Sequence, residues 1–176
     1  MASSDSFDME SSARAHPGLP NFDLETEMMA LHGLPVAGID EAGRGPWAGP
    51  VVVAAVVLDS NRIPEGLNDS KKLTPQARED RFEEIAATAR VSVVIGQVQR
   101  IDRDNILQAT LWGMRAAFRT LEVSQATALI DGNAVPRRFP GTARAVIGGD
   151  AKSLSIAAAS IVAKVTRDRI MMKLAK

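Results

Sequence analysis

The sequence predicts an α/β protein in which helices cover a mixed sheet of five strands. Three observations lead to this prediction. Short runs of aliphatic, β-branched residues alternate with helix-length segments that carry apolar side chains at helical spacing. Acidic residues follow several of the predicted strands directly, as in open sheets that bind ligands beyond their strand ends. With 176 residues and 45% hydrophobic content, the chain can bury a substantial core as one domain.

The elements are predicted in the following order. A glycine-rich loop separates the first two strands, and a turn region at 59–66 precedes a helix with Thr74 as N-cap and Pro75 at its first position. The strands are expected at 34–39, 51–58, 91–98, 128–131 and 143–147, and further helices at about 102–121 and 155–173. The last helix is apolar nearly all round as far as Ile161, which predicts that it is buried.

Charge divides the chain into two parts, a flexible acidic leader at 1–30 and a domain at 31–176. The leader holds six acidic residues and one basic residue, whereas the remainder holds 20 basic and 15 acidic residues. A basic domain favours a polyanionic partner, although an ordinarily solvated surface explains the charge about equally well. We find no signal peptide and no transmembrane run, so we expect a soluble cytoplasmic protein without a membrane partner.

Acidic residues are the candidates for chemistry. Because the chain has no cysteine and only two histidines, oxygen ligands would have to hold any metal. Asp40 and Glu41 end the first predicted strand, and burying two adjacent acids is costly unless a cation meets them. Asp131 and Asp150 end the fourth and fifth strands, and Asp168 lies in the last helix. One such acid is usually a turn or cap residue, but several together favour Mg²⁺ or Mn²⁺ and phosphoryl transfer.

Basic residues accompany these acids. Lys71 and Lys72 follow Asp69-Ser70, and Lys152 follows Asp150. Phosphate contact and simple solvation explain such lysines about equally well, and Lys164 with Asp168 has the spacing of a helical salt bridge. Arg44 stands between two glycines directly after the acid pair, which solvation alone explains poorly.

Four motifs in the same order resemble bacterial ribonuclease HII. They are Asp40-Glu41-Ala42-Gly43-Arg44-Gly45-Pro46, Asn68-Asp69-Ser70-Lys71-Lys72-Leu73, Ile130-Asp131-Gly132-Asn133, and the segment from Ser155 to Asp168. The resemblance covers about residues 36–172. A lone Gly-x-Gly would not be specific, but the four motifs together are.

The resemblance implies a ribonuclease H-like fold and a monomeric endonuclease. Such an enzyme cleaves the RNA strand of RNA–DNA hybrids and incises at ribonucleotides embedded in duplex DNA. Two Mn²⁺ or Mg²⁺ ions would catalyse the hydrolysis, leaving 5′-phosphate and 3′-hydroxyl ends. Asp40, Glu41 and Asp131 would hold the metal. The fourth catalytic acid would be Asp150 or Asp168, since both match acids near the family's active site, with a slight preference for Asp150.

The resemblance also implies a nucleic-acid-binding surface. Gly43, Arg44 and Gly45 would contact the ribonucleotide and its 2′-hydroxyl, the group that distinguishes RNA from DNA. The remaining residues of this predicted surface are Ser70, Lys71, Lys72, Lys152, Lys164 and Arg167.

The chain departs from the family pattern at its end. It contains no tyrosine, whereas the family uses a tyrosine from a later segment with a His-Lys-Gly-Tyr motif to stack at the RNA–DNA junction. We therefore expect a C-terminally truncated chain. One alternative function is an inactive remnant that binds hybrid duplexes. Another is a regulatory module that binds nucleotide phosphates through the glycine loop, although that loop lacks the Gly-Lys-Ser/Thr of a P-loop.

Overall fold

Five strands and five α-helices make up the described part of the fold. The computed structural model describes residues 18–45, 48–123 and 125–175. Its strands are β1 (Val36–Ala42), β2 (Val51–Val57), β3 (Arg90–Gly96), β4 (Thr127–Asp131) and β5 (Ala143–Val146). Its α-helices are α1 (Asp23–His32), α2 (Pro75–Thr88), α3 (Val98–Asp104), α4 (Ile106–Arg119) and α5 (Leu154–Leu174), and a short 3₁₀ helix occupies Gly149–Ala151.

The strands form one mixed sheet in the order β3-β2-β1-β4-β5. The neighbours β1 and β2 are antiparallel, as are β2 and β3, whereas β1, β4 and β5 run parallel. The prediction of an α/β protein with a mixed five-stranded sheet is therefore confirmed. Because β1, β4 and β5 are parallel neighbours, their carboxyl ends meet at one edge of the sheet.

Helices cover both faces of the sheet. The helix α5 lies against β1 and β2 on one face, together with α2, and α4 covers the other face. The first half of α5 is buried, as its apolar sequence predicts, and alanines at 157–159 allow it to lie close to the sheet. Thr74 caps α2 by accepting a hydrogen bond from the Ala77 amide, which confirms the predicted start of that helix. None of the helices in the described ranges is long and apolar enough to cross a membrane.

The helix predicted at 102–121 is two helices. Asn105 has a φ of 66° and lies between α3 and α4, which breaks the helical path. Its side-chain oxygen accepts a hydrogen bond from the Gln108 amide and so caps α4. Asparagine tolerates positive φ and binds nearby backbone groups, so it starts a new helix here rather than continuing the old one.

The boundary predicted at residue 30 cuts through α1. This helix begins at Asp23 and ends at His32, and Gly33, with a positive φ of 63°, caps it. Met28 and Glu25 are buried against the rest of the domain, so this part of the predicted leader is folded. The acidic composition suggested solvation, but one of the acids points inward. Residues 1–17 of the predicted leader lie outside the described part of the chain.

Candidate active site

Four carboxylates lie at the carboxyl edge of the parallel strands. Asp40 and Glu41 lie near the end of β1, which continues to Ala42 rather than ending at residue 39 as predicted. Asp131 is the last residue of β4, and Asp150 lies in the 3₁₀ helix that follows β5. Because Ile39 is paired with Ile130, Asp40 and Asp131 follow at the same level on adjacent strands. The parallel strand order therefore brings together acids that are up to about 110 residues apart in the chain.

Burial and mutual repulsion dominate the electrostatics of this cluster. The pKa of Asp40 is raised well above its ordinary value, first by burial and then by the charges of Glu41 and Asp131. Burial also raises the pKa of Glu41, although Arg44 partly opposes it. The pKa of Asp150 is raised by burial and then by Asp69 and Asp131. The arrangement therefore favours a cation, which would offset all of these charges at once.

Backbone amides orient two of the carboxylates. Asp40 Oδ1 accepts a hydrogen bond from the Glu41 amide at 2.7 Å, and Asp131 Oδ1 accepts one from the Gly149 amide at 2.7 Å. Glu41 Oε1 lies 3.3 Å from Arg44 Nη1. The other Glu41 oxygen, Oε2, is buried and has no hydrogen-bond partner among the described residues. A buried carboxylate oxygen without a partner is costly, and a bound cation would relieve that cost.

The donor set fits a hard divalent cation. Its side-chain ligands are carboxylate oxygens, which suit Mg²⁺ or Mn²⁺ rather than Zn²⁺. Within residues 18–45, 48–123 and 125–175, the structure groups no three His, Cys, Asp or Glu side chains that could by themselves hold a metal ion. A cation bound at the cluster would therefore need further oxygen ligands, such as water or substrate.

Asp168 lies apart from the cluster. Its Oδ1 is 2.6 Å from Lys164 Nζ, one turn earlier on α5, in the salt bridge that the spacing suggested. It lines a groove between α5 and α2 with residues such as Pro75 and Glu79. The charge of Asp131 helps to raise the pKa of both Asp40 and Asp150, whereas Asp168 is not among the charges that shift either pKa. Of the two candidates for the fourth acid, the structure places only Asp150 with the other carboxylates.

The segment 68–73 approaches the cluster from the other side. The charge of Asp69 contributes to the raised pKa of Asp150, and the charge of Lys71 partly opposes the rise in the pKa of both Glu41 and Asp150. Lys71 and Lys72 are exposed. Ser70 differs from the prediction because it is buried, and its hydroxyl accepts a hydrogen bond from Ser160 at 2.8 Å. It anchors the segment to α5 and does not face solvent.

Sequence reasoning missed Asp69 as a neighbour of the cluster. It precedes Ser70 and Lys71 within one of the four family motifs, and its place in that motif could have identified it as a neighbour of the site. Its Oδ1 also accepts a hydrogen bond from the Lys71 amide at 2.9 Å, which fixes the local turn. Asp69 therefore shapes the turn of the lysine segment and lies near enough to Asp150 to raise its pKa.

The glycine–arginine loop projects Arg44 beside Glu41. The Arg44 side chain is about half exposed, with 49% of its surface accessible, so one side of the guanidinium faces solvent. Gly43 has a φ of 110°, and a Cβ there would lie 2.6 Å from both Arg167 Nε and the Pro50 oxygen. Only glycine fits this position. Among the described residues, no atom lies within 4 Å of a Cβ built on Gly45.

Arg167 lies beneath this loop and not on the predicted nucleic-acid surface. It is buried, with its Nε donating to the Pro50 oxygen at 3.0 Å and its Nη2 donating to the Ala48 oxygen at 2.9 Å. The family resemblance places Arg167 among the residues that would contact nucleic acid. Burial instead makes Arg167 a support for the loop that carries Arg44.

Replacing Arg167 by methionine is expected to loosen this loop. The change leaves the Pro50 and Ala48 carbonyl groups without their charged donor, which should lower the free energy of unfolding by about 1.5–3 kcal/mol. Urea unfolding measures that loss, and hydrogen exchange should rise at the amides of Ala48 and Gly49. Arg169→Met is the matched control on the same helix, since Arg169 pairs with Glu79 and Glu83 at the surface and should contribute less than about 1 kcal/mol. Equal losses in both variants would contradict the assignment.

Of the two remaining lysines of the predicted surface, Lys152 lies just before α5 and Lys164 lies within it. Lys152 is exposed and donates from Nζ to the Ile147 oxygen at 2.7 Å, close in the chain to Asp150. Lys164 is one-third exposed and is engaged by Asp168. The structure thus groups Arg44 and Lys71 with the carboxylates, holds Lys152 at the adjacent loop, and leaves Lys164 farther along the helix.

Comparisons with known proteins are consistent with this geometry. A family model for ribonuclease HII matches residues 37–176. The ribonuclease HII of Sinorhizobium fredii is 54% identical over 157 residues, which cover 89% of this chain and 68% of that protein. The ribonuclease HII of Nitrobacter winogradskyi is also 54% identical over 157 residues and is covered over 60% of its length. The chain thus spans between 60% and 68% of these two relatives.

Solved structures show the same similarity. The ribonuclease H2 of Pyrococcus horikoshii superposes with a TM-score of 0.71 and 33% identity, over 80% of this chain and 75% of that chain. Bst-RNase HIII, solved in complex with Mn²⁺, superposes with a TM-score of 0.60 and 25% identity, over 80% of this chain and 54% of that chain.

Proposed function

Because the chain belongs to the ribonuclease HII family, we propose that its site cleaves RNA within hybrid duplexes. The chain has the fold of the solved ribonuclease H2 and is by family a ribonuclease H-type hydrolase. Its proposed substrates are RNA–DNA hybrids and duplex DNA that contains single ribonucleotides. The observation that carries the proposal is the cluster of Asp40, Glu41, Asp131 and Asp150 at one edge of the sheet.

We assign metal binding to Asp40, Glu41 and Asp131, with Asp150 as the fourth acid. The support is the partnerless oxygen of Glu41, the raised pKa of Asp40, and the Mn²⁺ complex of the similar Bst-RNase HIII. Two Mn²⁺ or Mg²⁺ ions would supply the charge that activates water and stabilises the leaving 3′-oxygen. The protein's own part is to hold the carboxylates in place, and the amides of Glu41 and Gly149 do so for Asp40 and Asp131.

The chain's cations would bind the nucleic acid. Arg44 is exposed at the cluster, and its loop has open space at Gly45 for a sugar and its 2′-hydroxyl. Lys71, Lys72 and Lys152 are exposed on segments that border the carboxylates, where phosphates would pass. Lys164 would contact the duplex farther out, after exchanging its salt bridge with Asp168 for a phosphate. Binding should therefore weaken as the salt concentration rises.

The test is cleavage of two labelled duplexes in Mg²⁺ and in Mn²⁺. One is DNA with a single ribonucleotide, and the other is an RNA–DNA hybrid. We expect both to be cut, leaving 5′-phosphate and 3′-hydroxyl ends, and we expect Asp131→Asn to abolish the cutting.

Each other outcome has a defined meaning. Cleavage of the hybrid alone would contradict the proposed incision at single ribonucleotides. No cleavage by the folded protein, with hybrid still bound, would support the inactive remnant instead. Binding of mononucleotides that survives Asp131→Asn would support the phosphate-binding module. A monomeric state and a cytoplasmic location stay predictions from the sequence.

A further inference from the structure

Glu25 is a buried carboxylate that the proposed reaction does not use. It lies on α1 and is fully buried, although glutamate is almost never found there without partners. Its Oε1 accepts three hydrogen bonds, from Ser153 Oγ at 2.6 Å, Ser155 Oγ at 2.6 Å and the Ser155 amide at 2.8 Å. Its Oε2 has no partner among the described residues. Three hydrogen bonds to one oxygen fix the position of the carboxylate relative to residues 153–155.

The partners of Glu25 form the start of α5. Ser153 is the N-cap of that helix, and its Oγ also accepts a hydrogen bond from the Ile156 amide. The carboxylate charge lies at a helix N-terminus, where the helix dipole favours it. Asn21, just before α1, exchanges two backbone hydrogen bonds with Lys152 and Leu154. The segment 21–25 therefore holds residues 152–155 by both backbone and side chain.

The held segment continues directly into the active site. The Ser153 and Lys152 amides donate to the Gly149 oxygen, and the Gly149 amide donates to Asp131. Asp150 lies within the same short turn. A Cβ on Gly149 would lie 2.5 Å from Ile156 Cδ1, so this turn is packed tightly onto the first turn of α5. Any shift at Ser153 therefore reaches both Asp150 and the amide that orients Asp131.

The start of α5 also contacts the strand that bears the other two acids. A Cβ on Gly38 would lie only 2.0 Å from the Ser155 carbonyl carbon, so β1 and α5 touch backbone to backbone there. Gly38 precedes Asp40 by two residues. Ser155 is thus bonded to Glu25 and in contact with β1, while Ser153 leads to Gly149 and Asp150.

We propose that Glu25 is a positioning residue, which fixes the start of α5 and thereby the placement of Asp150 and Asp131 relative to the acids of β1. It touches neither substrate nor metal and acts through Ser153 and Ser155. The inference rests on the proposed function, since Asp131 and Asp150 matter for cleavage only if that function is correct.

The test compares Glu25→Ala and Glu25→Gln with the wild-type chain. Hydrogen exchange of the metal-free protein should rise at residues 149–155 in Glu25→Ala and less in Glu25→Gln, which keeps an acceptor oxygen. Mn²⁺ affinity, measured by calorimetry, and kcat should each fall by about 10- to 100-fold in Glu25→Ala, as for other residues that orient metal ligands. KM for the duplex should change less than Mn²⁺ affinity and kcat, because Lys152 alone of the residues proposed to bind the duplex lies in the loosened segment.

A stability-matched control separates positioning from general loosening. Leu121→Ala removes a buried side chain from the core on the opposite face of the sheet. Each variant is measured at the same interval below its own Tm. Under that condition Leu121→Ala should keep the wild-type Mn²⁺ affinity and the wild-type hydrogen exchange at residues 149–155. If Glu25→Ala does not fold, Glu25→Gln and Ser153→Ala carry the same comparison.

Two results would overturn the inference. One is unchanged exchange at 149–155, and the other is raised exchange with unchanged Mn²⁺ affinity and kcat. A wild-type chain that neither binds Mn²⁺ nor cleaves would contradict the proposed function instead. The exchange comparison would then still decide whether Glu25 holds this segment.

Discussion

Replacing Asp40 by asparagine is expected to abolish cleavage and to stabilise the metal-free protein. Loss of one metal-binding carboxylate should slow cleavage on the order of 10³-fold or more. The amide keeps the acceptor for the Glu41 N–H but removes a buried charge that Glu41 and Asp131 repel. The free energy of unfolding should therefore rise by about 1–3 kcal/mol, and each kcal/mol should raise Tm by roughly 2–4 °C.

The pH dependence of this effect has a definite sign. Because the pKa of Asp40 is raised on folding, the native state binds its proton more tightly than the unfolded chain does. The Asp40 carboxyl group therefore lowers the free energy of unfolding least at low pH, where it is protonated. Its destabilising effect grows as the pH rises through its native pKa. The stability gained by Asp40→Asn should be largest at neutral and alkaline pH and should shrink as the solution is acidified.

Calorimetric melting of metal-free protein at several pH values, beside the cleavage assay, checks both parts. Asp80→Asn is the control, since Asp80 is exposed on α2 and accepts a hydrogen bond only from Gln76 in the described structure. It should change Tm and cleavage little, within about 0.5 kcal/mol in stability. A lower Tm for Asp40→Asn at neutral pH, or retained cleavage, would contradict the assignment of Asp40 as a repelled, metal-binding carboxylate.

Gly38→Ala is expected to destabilise the protein severely, although it adds only one methyl group. The new Cβ would lie 2.0 Å from the Ser155 carbonyl carbon and 2.3 Å from the Ile156 nitrogen. These are backbone atoms and cannot rotate away, so α5 must separate from β1. We expect a loss of about 3 kcal/mol or more, at the upper end of what overpacking costs.

Urea unfolding of Gly38→Ala beside Gly45→Ala measures this difference. No atom in the described part of the chain lies within 4 Å of a Cβ at Gly45, so that variant should stay within about 0.5 kcal/mol of wild-type stability. A Gly38→Ala protein as stable as the Gly45→Ala protein would show that β1 and α5 are not in close contact.

The sequence was sufficient to predict the sheet and the carboxylate cluster. Runs such as 51–57 are strongly β-branched, and acids that follow strands indicate a ligand site beyond the strand ends. Asp40, Glu41, Asp131 and Asp150 were therefore candidates in advance, but the sequence left the fourth acid open between Asp150 and Asp168. The direction in which a polar side chain points was not predictable. Ser70 and Arg167 were expected on the surface but are buried, because tertiary packing decides this and leaves no trace in local spacing. Glu25 was assigned to a solvated leader for the same reason.

The pairing of β1 with β4 also constrains how the protein folds. Val36 lies opposite Thr127, so this contact closes a loop of about 90 residues, and such non-local pairings form slowly. Asp40 and Asp131 meet only when that loop has closed. If the cluster assembles after the rate-limiting step, a cation bound there cannot speed folding and adds its binding free energy to the barrier against unfolding. The metal ion proposed to support cleavage would then also lengthen the lifetime of the native state.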